Sequence, residues 1–139
     1  MKIKIAETET DILKCWDVLL ALRPHLKQET FVEIIQGMMS EGYTLAFIES
    51  EDRAVAAVGF RYLQFLVIGK HFYIDDLSTL PEYRGNGYGG KLLDFVVEKA
   101  NFNGFKYVTL DSGYQRIDAH RLYLNKGFIL SSHHFVKTL

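Results

Sequence analysis

The sequence contains one cysteine, two prolines and no long apolar run. Because Cys15 stands alone, the chain can form neither an intrachain disulfide nor a cysteine-built zinc site. No apolar stretch approaches the roughly 20 residues that a membrane-spanning helix needs. The first residues, MKIKI, lack the apolar core of a signal peptide. We therefore expect a cytoplasmic protein without a membrane partner.

The composition indicates one globular domain over residues 1–139. Lys and Arg total 16 against 17 Asp and Glu, and this formal charge of -1 gives no reason to expect a nucleic-acid partner. Hydrophobic residues make up 48% of the chain, which is enough for a sizeable core. No linker-like or repeated segment divides the sequence.

Hydrophobic periodicity predicts an α/β (α+β) fold with the element order β-α-α-β-β-β-α-β-α-β. A helix between two strands requires a crossover connection, so the strands at 71–80 and 106–110 should be parallel. The other strands should pair as antiparallel neighbours, giving a mixed, mostly antiparallel sheet flanked by helices. The predicted strands are 2–6, 43–49, 54–66, 71–80, 106–110 and 128–136, and the predicted helices run from Thr8 or Thr10 to 22, from a Thr30–Glu33 capping box to 42, from 88 to 103 and from 118 to 126.

A glycine-rich turn, RGNGYGGK at residues 84–91, lies between a predicted strand and a predicted helix. Its glycines can adopt positive φ angles and allow a ligand to approach the backbone closely. The amides of the first helical turn have no partner within the helix, and the helix dipole favours negative charge there. Arg84 and Lys91 add two cations. The turn therefore predicts an anion site suited to phosphate.

Three phosphate-binding motifs compete for this turn. A P-loop requires a Ser or Thr where Leu92 stands, so that motif does not fit. Gly85, Gly87 and Gly90 match the dinucleotide fingerprint, and Asp111 follows at a suitable distance for a ribose. However, four residues separate the strand from the first glycine, and the strand carries two acids where an apolar run is expected. A dinucleotide-binding domain therefore remains an alternative of low weight.

Two segments resemble motifs of the GCN5-related N-acetyltransferase (GNAT) family. These are LSTLPEYRGNGYG at residues 77–89, which includes the Arg84-x-x-Gly87-x-Gly89 pattern, and AHRLYLNKGF at residues 119–128. The predicted element order agrees with the family fold along the whole chain. The resemblance implies acetyl-coenzyme A (acetyl-CoA) as cosubstrate and transfer of its acetyl group to a primary amine.

The resemblance also implies which residues hold the coenzyme. The backbone of Leu77 and Thr79 would pair with the pantetheine arm as an added strand, and Lys126 would reach the coenzyme phosphates. Arg116 is a departure, because many relatives carry an asparagine there that bonds the coenzyme. The pyrophosphate would be held by the amides of Arg84, Gly85, Asn86, Gly87, Tyr88, Gly89 and Gly90.

Acetyl transfer to an amine requires a base, an acid and an oxyanion donor near one point. The resemblance implies Tyr123 as the acid that protonates the leaving thiolate and the amide of Thr79 as the oxyanion donor. Asp75 and Asp76 are candidates for the base or its water relay, with Asp75 preferred for the relay and Asp76 for a structural or substrate role. Successive strand residues face opposite sides, so only one of them can face the cleft unless a bulge intervenes.

The sequence does not identify the acceptor amine. A small-molecule amine is favoured, a protein amine stays open, and a non-catalytic acyl-CoA sensor is the runner-up function. Residues 111–113 end a strand at a usual place for substrate contacts. His120 lies three positions before Tyr123, on nearly the same helix face, so it is a candidate for contact with the substrate or the coenzyme. Adjacent His133 and His134 face opposite sides of a predicted strand, so we expect no metal site. A homodimer through the C-terminal strands is also open.

Overall fold

A computed structural model describes residues 2–139, and its centre is a five-stranded sheet. Neighbouring strands are antiparallel except for the last pair, which is parallel. The mixed, mostly antiparallel sheet predicted from the sequence is therefore confirmed. The strands follow chain order across the sheet: β1 (Ile3–Ile5), β2 (Tyr43–Ser50), β3 (Arg53–Phe65), β4 (Gly69–Thr79) and β5 (Val108–Leu110).

Five helices flank the sheet in the described part of the chain. None of them is long and apolar enough to cross a bilayer. A single 3₁₀ turn, Pro81–Tyr83, precedes the glycine-rich turn. The helices are α1 (Glu9–Lys14), α2 (Trp16–Leu22), α3 (Gln28–Ser40), α4 (Tyr88–Phe102) and α5 (Ile117–Asn125).

The N-terminal helices differ from the prediction in two details. Thr8 caps α1 as expected, and Asp11 completes a capping box with it. The helix then breaks at the wholly buried Cys15, whose amide bonds to a carbonyl three residues back, so two helices replace the single predicted one. The predicted capping box at Thr30 is wrong. Helix α3 begins earlier, and the Thr30 hydroxyl donates to the Lys27 carbonyl at 3.4 Å instead.

The core lies between the sheet and the helices packed on it. Helix α4 contributes an apolar stripe at helical spacing, and Leu92, Leu93 and Val96 in it are wholly buried. On the sheet, Phe60 meets Phe72 edge to face with ring centroids 5.1 Å apart. Burying each such side chain contributes about 1.5–3 kcal/mol, so this packing fixes α4 and the turn before it relative to β4.

The predicted last strand, 128–136, is wrong: residues 128–139 have no regular structure, and residues 129–139 are exposed. Its alternating pattern suits an amphipathic strand, but no other element covers its apolar side. Strand β5 has only three residues and pairs only with β4. Without burial of its apolar side chains the segment gains little from becoming a strand. The exposed apolar residues include Ile129, Leu130, Phe135 and Val136.

Candidate active site

A cleft opens where β4 and β5 separate. The last paired residues of the two strands are Ile74 and Leu110, and from Asp75 to Thr79 the edge of β4 has no strand beside it. The cleft has a volume of about 100 Å³ and is covered by the end of α2 and by α5. It therefore lies at the carboxyl ends of two parallel strands, which is a usual place for ligands in such sheets.

The hydrogen bonding of β4 shows which backbone groups face this cleft. The Leu80 amide donates to the Val55 carbonyl of β3 at 2.8 Å. Because backbone groups of successive strand residues point to alternate sides, those of Leu77 and Thr79 point to the open edge. The Thr79 carbonyl accepts a hydrogen bond from Arg84 Nε at 3.2 Å, which agrees with that direction. The two positions predicted to bind the pantetheine arm thus lie on an unpaired edge.

A β-bulge places both acids of β4 in the cleft. Phe60 pairs with Ile74 and Gly59 pairs with Asp76, so Asp75 is an extra residue without a partner on β3. The bulge interrupts the alternation that would turn one acid away. Both Asp75 and Asp76 line the cleft, which is the arrangement the sequence allowed only with a bulge.

Each of the two carboxylates has its own cationic partner. Arg61 Nε lies 3.0 Å from both oxygens of Asp75. Asp76 accepts from Arg23 Nε at 3.1 Å and from the Tyr43 hydroxyl at 2.8 Å. Charge-assisted hydrogen bonds of this kind are stronger than neutral ones. They hold both acids in fixed orientations beside the unpaired edge of β4.

Arg61 was missed in the sequence, although the register of the β3–β4 hairpin could have indicated it. Arg61 pairs with Tyr73 across the hairpin. Asp75 is the diagonal neighbour two positions further on, within reach of a long side chain.

Burial, helped by the negative charge of Asp76, raises the pKa of Tyr43 well above its usual value, so this phenol stays a donor to Asp76.

Tyr123 enters the cleft from α5. Its side chain is half-buried, its ring packs 6.1 Å from that of Phe128, and its hydroxyl makes no hydrogen bond to any residue in 2–139. Burial raises the pKa of Tyr123, and the guanidiniums of Arg116 and Arg23 partly oppose that rise. The phenol is therefore protonated at neutral pH and free to donate.

The wall opposite β4 is formed by the loop after β5. Asp111 accepts a hydrogen bond from the Tyr73 hydroxyl at 2.8 Å. The Ser112 hydroxyl oxygen is shielded from solvent and has no hydrogen-bond partner among the described residues. Gly113 and Arg116 complete this wall. His120, in contrast, lies on α5 but does not line the cleft.

The glycine-rich turn has the conformation expected of an anion site. Gly85 and Gly87 have φ angles of 83° and 78°, a region that favours glycine, and the space beside both is open. Asn86 braces the turn by donating to the Tyr83 carbonyl at 2.8 Å. Gly87 is the N-cap residue of α4, and as a glycine it offers no side chain to cap the helix. These features leave the first turn of α4 accessible to a phosphate group.

Helix α5 packs against the start of α4, where glycines allow a close approach. A methyl carbon of Leu122 lies 3.1 Å from the place that a Cβ at Gly89 would occupy, and Lys126 Cε is equally close to that of Gly90. Lys126 Nζ also pairs with Asp94 at 2.9 Å. The predicted phosphate-binding lysine thus lies beside the glycine-rich turn, held by an acid of α4.

The chain matches the model of the acetyltransferase (GNAT) family over residues 10–128. It is 34% identical over 124 residues to the uncharacterized N-acetyltransferase YhdJ of Bacillus subtilis (strain 168), covering 88% of this chain and 87% of that protein. It is 38% identical over 66 residues to the aminoalkylphosphonate N-acetyltransferase of Salmonella typhimurium, covering 48% of this chain and 43% of that protein.

Solved structures show the same fold. A putative acetyltransferase from Agrobacterium tumefaciens str. C58 superposes over the full length of both chains with a TM-score of 0.86, at 20% identity. Fold, site and sequence lead to one conclusion. The chain belongs to the acetyltransferase (GNAT) family, and as a member it is an N-acetyltransferase with acetyl-CoA as its cosubstrate.

Proposed function

We propose that this enzyme acetylates the primary amine of a small molecule by direct attack of the amine on the thioester of acetyl-CoA. One observation carries the proposal. The free, protonated phenol of Tyr123 and the two acids of the β4 bulge line one cleft, beside the unpaired edge of the strand. An acid, a candidate base and an edge able to align a substrate are the parts this reaction needs.

The coenzyme site is assigned to the glycine-rich turn and the edge of β4. Acetyl-CoA supplies an acetyl group activated as a thioester. The amides of residues 84–90 hold its pyrophosphate, and Lys126 adds positive charge beside them. Leu77 and Thr79 align the pantetheine arm through their outward-facing backbone groups. The open space beside Gly85 and Gly87 and the uncapped start of α4 support this assignment.

The acceptor must lose a proton before it can attack, because an alkylamine with a pKa near ~10.4 is mostly ammonium at neutral pH. We assign Asp75 to the water relay that takes this proton. Asp76, fixed by Arg23 and Tyr43, orients the relay and the incoming amine. Both carboxylates keep guanidinium partners, which favours a relay through water over a bare carboxylate base.

Tyr123 is assigned as the general acid. Its hydroxyl donates a proton to the departing thiolate, and the amide of Thr79 stabilises the oxyanion that forms during attack. Burial keeps the phenol protonated, as the role requires. Such a proton transfer typically contributes about 10²–10⁴-fold to the rate.

A small acceptor is supported by the size of the cleft, about 100 Å³. The aminoalkylphosphonate N-acetyltransferase relative also acts, by its name, on a small amine. A protein amine is the alternative acceptor. Acetylation of a lysine-containing peptide at a higher kcat/KM than any small amine would replace the proposal with that alternative.

The first test is thermal unfolding with acetyl-CoA, with NAD in parallel, followed by thiol release in the presence of an amine panel. Ligand at a hundred times its Kd stabilises a protein by ~2.7 kcal/mol, or a shift of several degrees. We expect a shift with acetyl-CoA and amine-dependent thiol release. A shift without turnover for any amine would favour the sensor function, and a shift with NAD alone would favour the dinucleotide-binding domain.

We also propose a homodimer in which residues 128–139 of two copies cover one another. Support comes from the exposed apolar side chains of this segment and the short edge strand β5. Sedimentation should show a dimer that Phe135→Ser with Val136→Ser dissociates. A wild-type monomer at all concentrations would contradict this. The cytoplasmic location expected from the sequence stays a prediction.

A further inference from the structure

The charges that line the cleft do not all compensate one another. Two of the carboxylates carry guanidinium partners: Asp76 has Arg23, and Asp75 has Arg61. The charged side chains on the cleft wall are Arg23, Asp75, Asp76, Asp111 and Arg116. Among the described residues, Asp111 and Arg116 have no partner of permanent opposite charge.

Within residues 2–139, the side-chain partners of Asp111 are a phenol and an imidazole. Its Oδ2 accepts from the Tyr73 phenol at 2.8 Å, and its Oδ1 lies 3.5 Å from His134 Nδ1. His134 sits on the exposed C-terminal segment and carries charge only when protonated. Asp111 therefore has no Lys or Arg partner among residues 2–139.

Arg116 is the opposite case. Its side chain is half-buried on the cleft wall and makes no hydrogen bond or ion pair with any residue between 2 and 139. The amide of Arg116 donates to the Gly113 carbonyl at 3.1 Å, which fixes the loop that carries both charges. Asp111 and Arg116 lie at the two ends of this loop and do not pair with each other.

We propose that the acceptor is a small zwitterion: its amine binds as ammonium beside Asp111 until the Asp75 relay takes the proton, and its anionic oxoacid group, carboxylate or phosphonate, is held by Arg116. The inference rests on the proposed function and names its substrate class. An acceptor that fills the 100 Å³ cleft displaces water from the side of each charge that lines it, although Asp111 is otherwise exposed. Removing water from unpaired charges is costly unless the ligand supplies the opposite charges. The planar guanidinium matches a carboxylate or phosphonate in a bidentate arrangement.

The experiment compares amines that share a skeleton and differ in the anionic group. The pairs are 3-aminopropanoate with propylamine, and 2-aminoethylphosphonate with ethylamine, with 1,3-diaminopropane as a dication. We expect kcat/KM to be about ten- to hundredfold higher for at least one zwitterion than for its partner amine. The two pairs distinguish carboxylate from phosphonate. Equal values within both pairs, or a preference for the dication, would overturn the inference.

A substitution at Arg116 tests whether this residue causes the preference for zwitterions. Arg116→Gln should lower the ratio of kcat/KM for the preferred zwitterion to kcat/KM for its partner amine by about tenfold or more. Arg121→Gln is the matched control, because Arg121 is a largely exposed arginine of α5, the helix that begins directly after Arg116, and lies outside the cleft. An increase in the KM for acetyl-CoA without a change in amine preference would make Arg116 a coenzyme contact and overturn its assignment.

The proposed function and the substrate inference are contradicted by different results. If acetyl-CoA does not stabilise the protein and no amine is acetylated, the proposed function fails, and the inference with it. If amines are acetylated without regard to an anionic group, the proposed function stands and the inference alone fails.

Discussion

The hydroxyl of Tyr43 reaches Asp76 by passing over Gly59. The hydrogen bond is 2.8 Å long, and Gly59 is the residue that pairs with Asp76 across β3 and β4. A Cβ at position 59 would overlap the Tyr43 ring and hydroxyl. The glycine is therefore needed for space, and the orientation of a cleft carboxylate depends on a residue that does not itself line the cleft.

Gly59→Ala should displace Tyr43 and break its bond to Asp76. We expect a loss of about 1–3 kcal/mol in the free energy of unfolding, because the added methyl overpacks a filled site. We also expect a lower kcat/KM for the amine. Tyr43→Phe is the matched variant, since it removes the hydrogen bond without adding a clash. Denaturant unfolding and kinetics measure both effects, and a Gly59→Ala enzyme with unchanged stability and activity would disprove the packing argument.

Gly87→Ala should weaken coenzyme binding. Its φ of 78° strains a residue with a side chain, at a cost of about 1 kcal/mol or more, although the space beside it is open. The expected results are a lower Tm and a higher Kd for acetyl-CoA by calorimetry.

The control for this prediction is Gly37→Ala. Gly37 lies inside α3 with open space around it and without a positive φ, so alanine should stabilise the protein by about 0.5–1 kcal/mol. A loss of stability in Gly87→Ala together with a gain in Gly37→Ala would show that the turn requires the backbone conformation of a glycine. Stabilisation by both would contradict the prediction.

Tyr123→Phe should lower kcat by about 10²–10⁴-fold while leaving the Kd of acetyl-CoA unchanged. The substitution removes the hydroxyl alone and keeps the ring, and this hydroxyl has no hydrogen bond within residues 2–139 to lose. Tyr114→Phe, at a largely exposed tyrosine outside the cleft, should have wild-type kinetics. Full turnover by Tyr123→Phe would remove Tyr123 from the mechanism.

The pH dependence of the same enzyme gives a second test of this role. A general acid works in its protonated form, and burial raises the pKa of Tyr123. The alkaline decline of kcat should therefore be centred above the usual tyrosine value of about 10, and it should be absent from the residual activity of Tyr123→Phe. A decline centred well below 10 would assign it to another group.

Cys15 should be unreactive and should make stability fall at high pH. Burial raises the pKa of its thiol to about 12, from an ordinary value of 9.0. The folded state then retains a proton that the unfolded state loses, so stability falls as pH rises from 9 towards 12, by at most about 1.4 kcal/mol per pH unit. The gap in unfolding free energy between wild type and Cys15→Ala should narrow over that range. A constant gap, or rapid labelling of the folded thiol at pH 8, would contradict this.

The sequence predicted the parts of the fold that depend on local patterns. The stripe that places α4 on the sheet follows a helical period, and the glycine-rich turn carries its conformational requirement in its own residues. The break at Cys15 was not predictable, because the apolar period continues through it and burial decides the outcome. The strand expected at 128–136 failed because alternation shows that a segment can pair, but not whether a partner is present.

The sequence predicted the candidate site residues that belong to a motif. It did not predict those whose contacts depend on how the strands align. Tyr123 and the turn follow from motifs. The pairing of Arg61 with Asp75, and of Tyr43 with Asp76, depends on how three strands align, which no motif states. The bulge depends on the same alignment. From the sequence it could be stated only as the condition under which both Asp75 and Asp76 would face the cleft.

The extra residue at the Asp75 bulge adds a side chain to the cleft but contributes nothing to the pairing of the strands. If that one residue were removed, Ile74 and Asp76 would become neighbours, and their pairs with Phe60 and Gly59 would form a regular ladder. Nothing in strand pairing therefore calls for the additional residue. The additional residue supplies the cleft with a second carboxylate, and a chain shorter by this one position would keep the strand pairing while giving up one of the two.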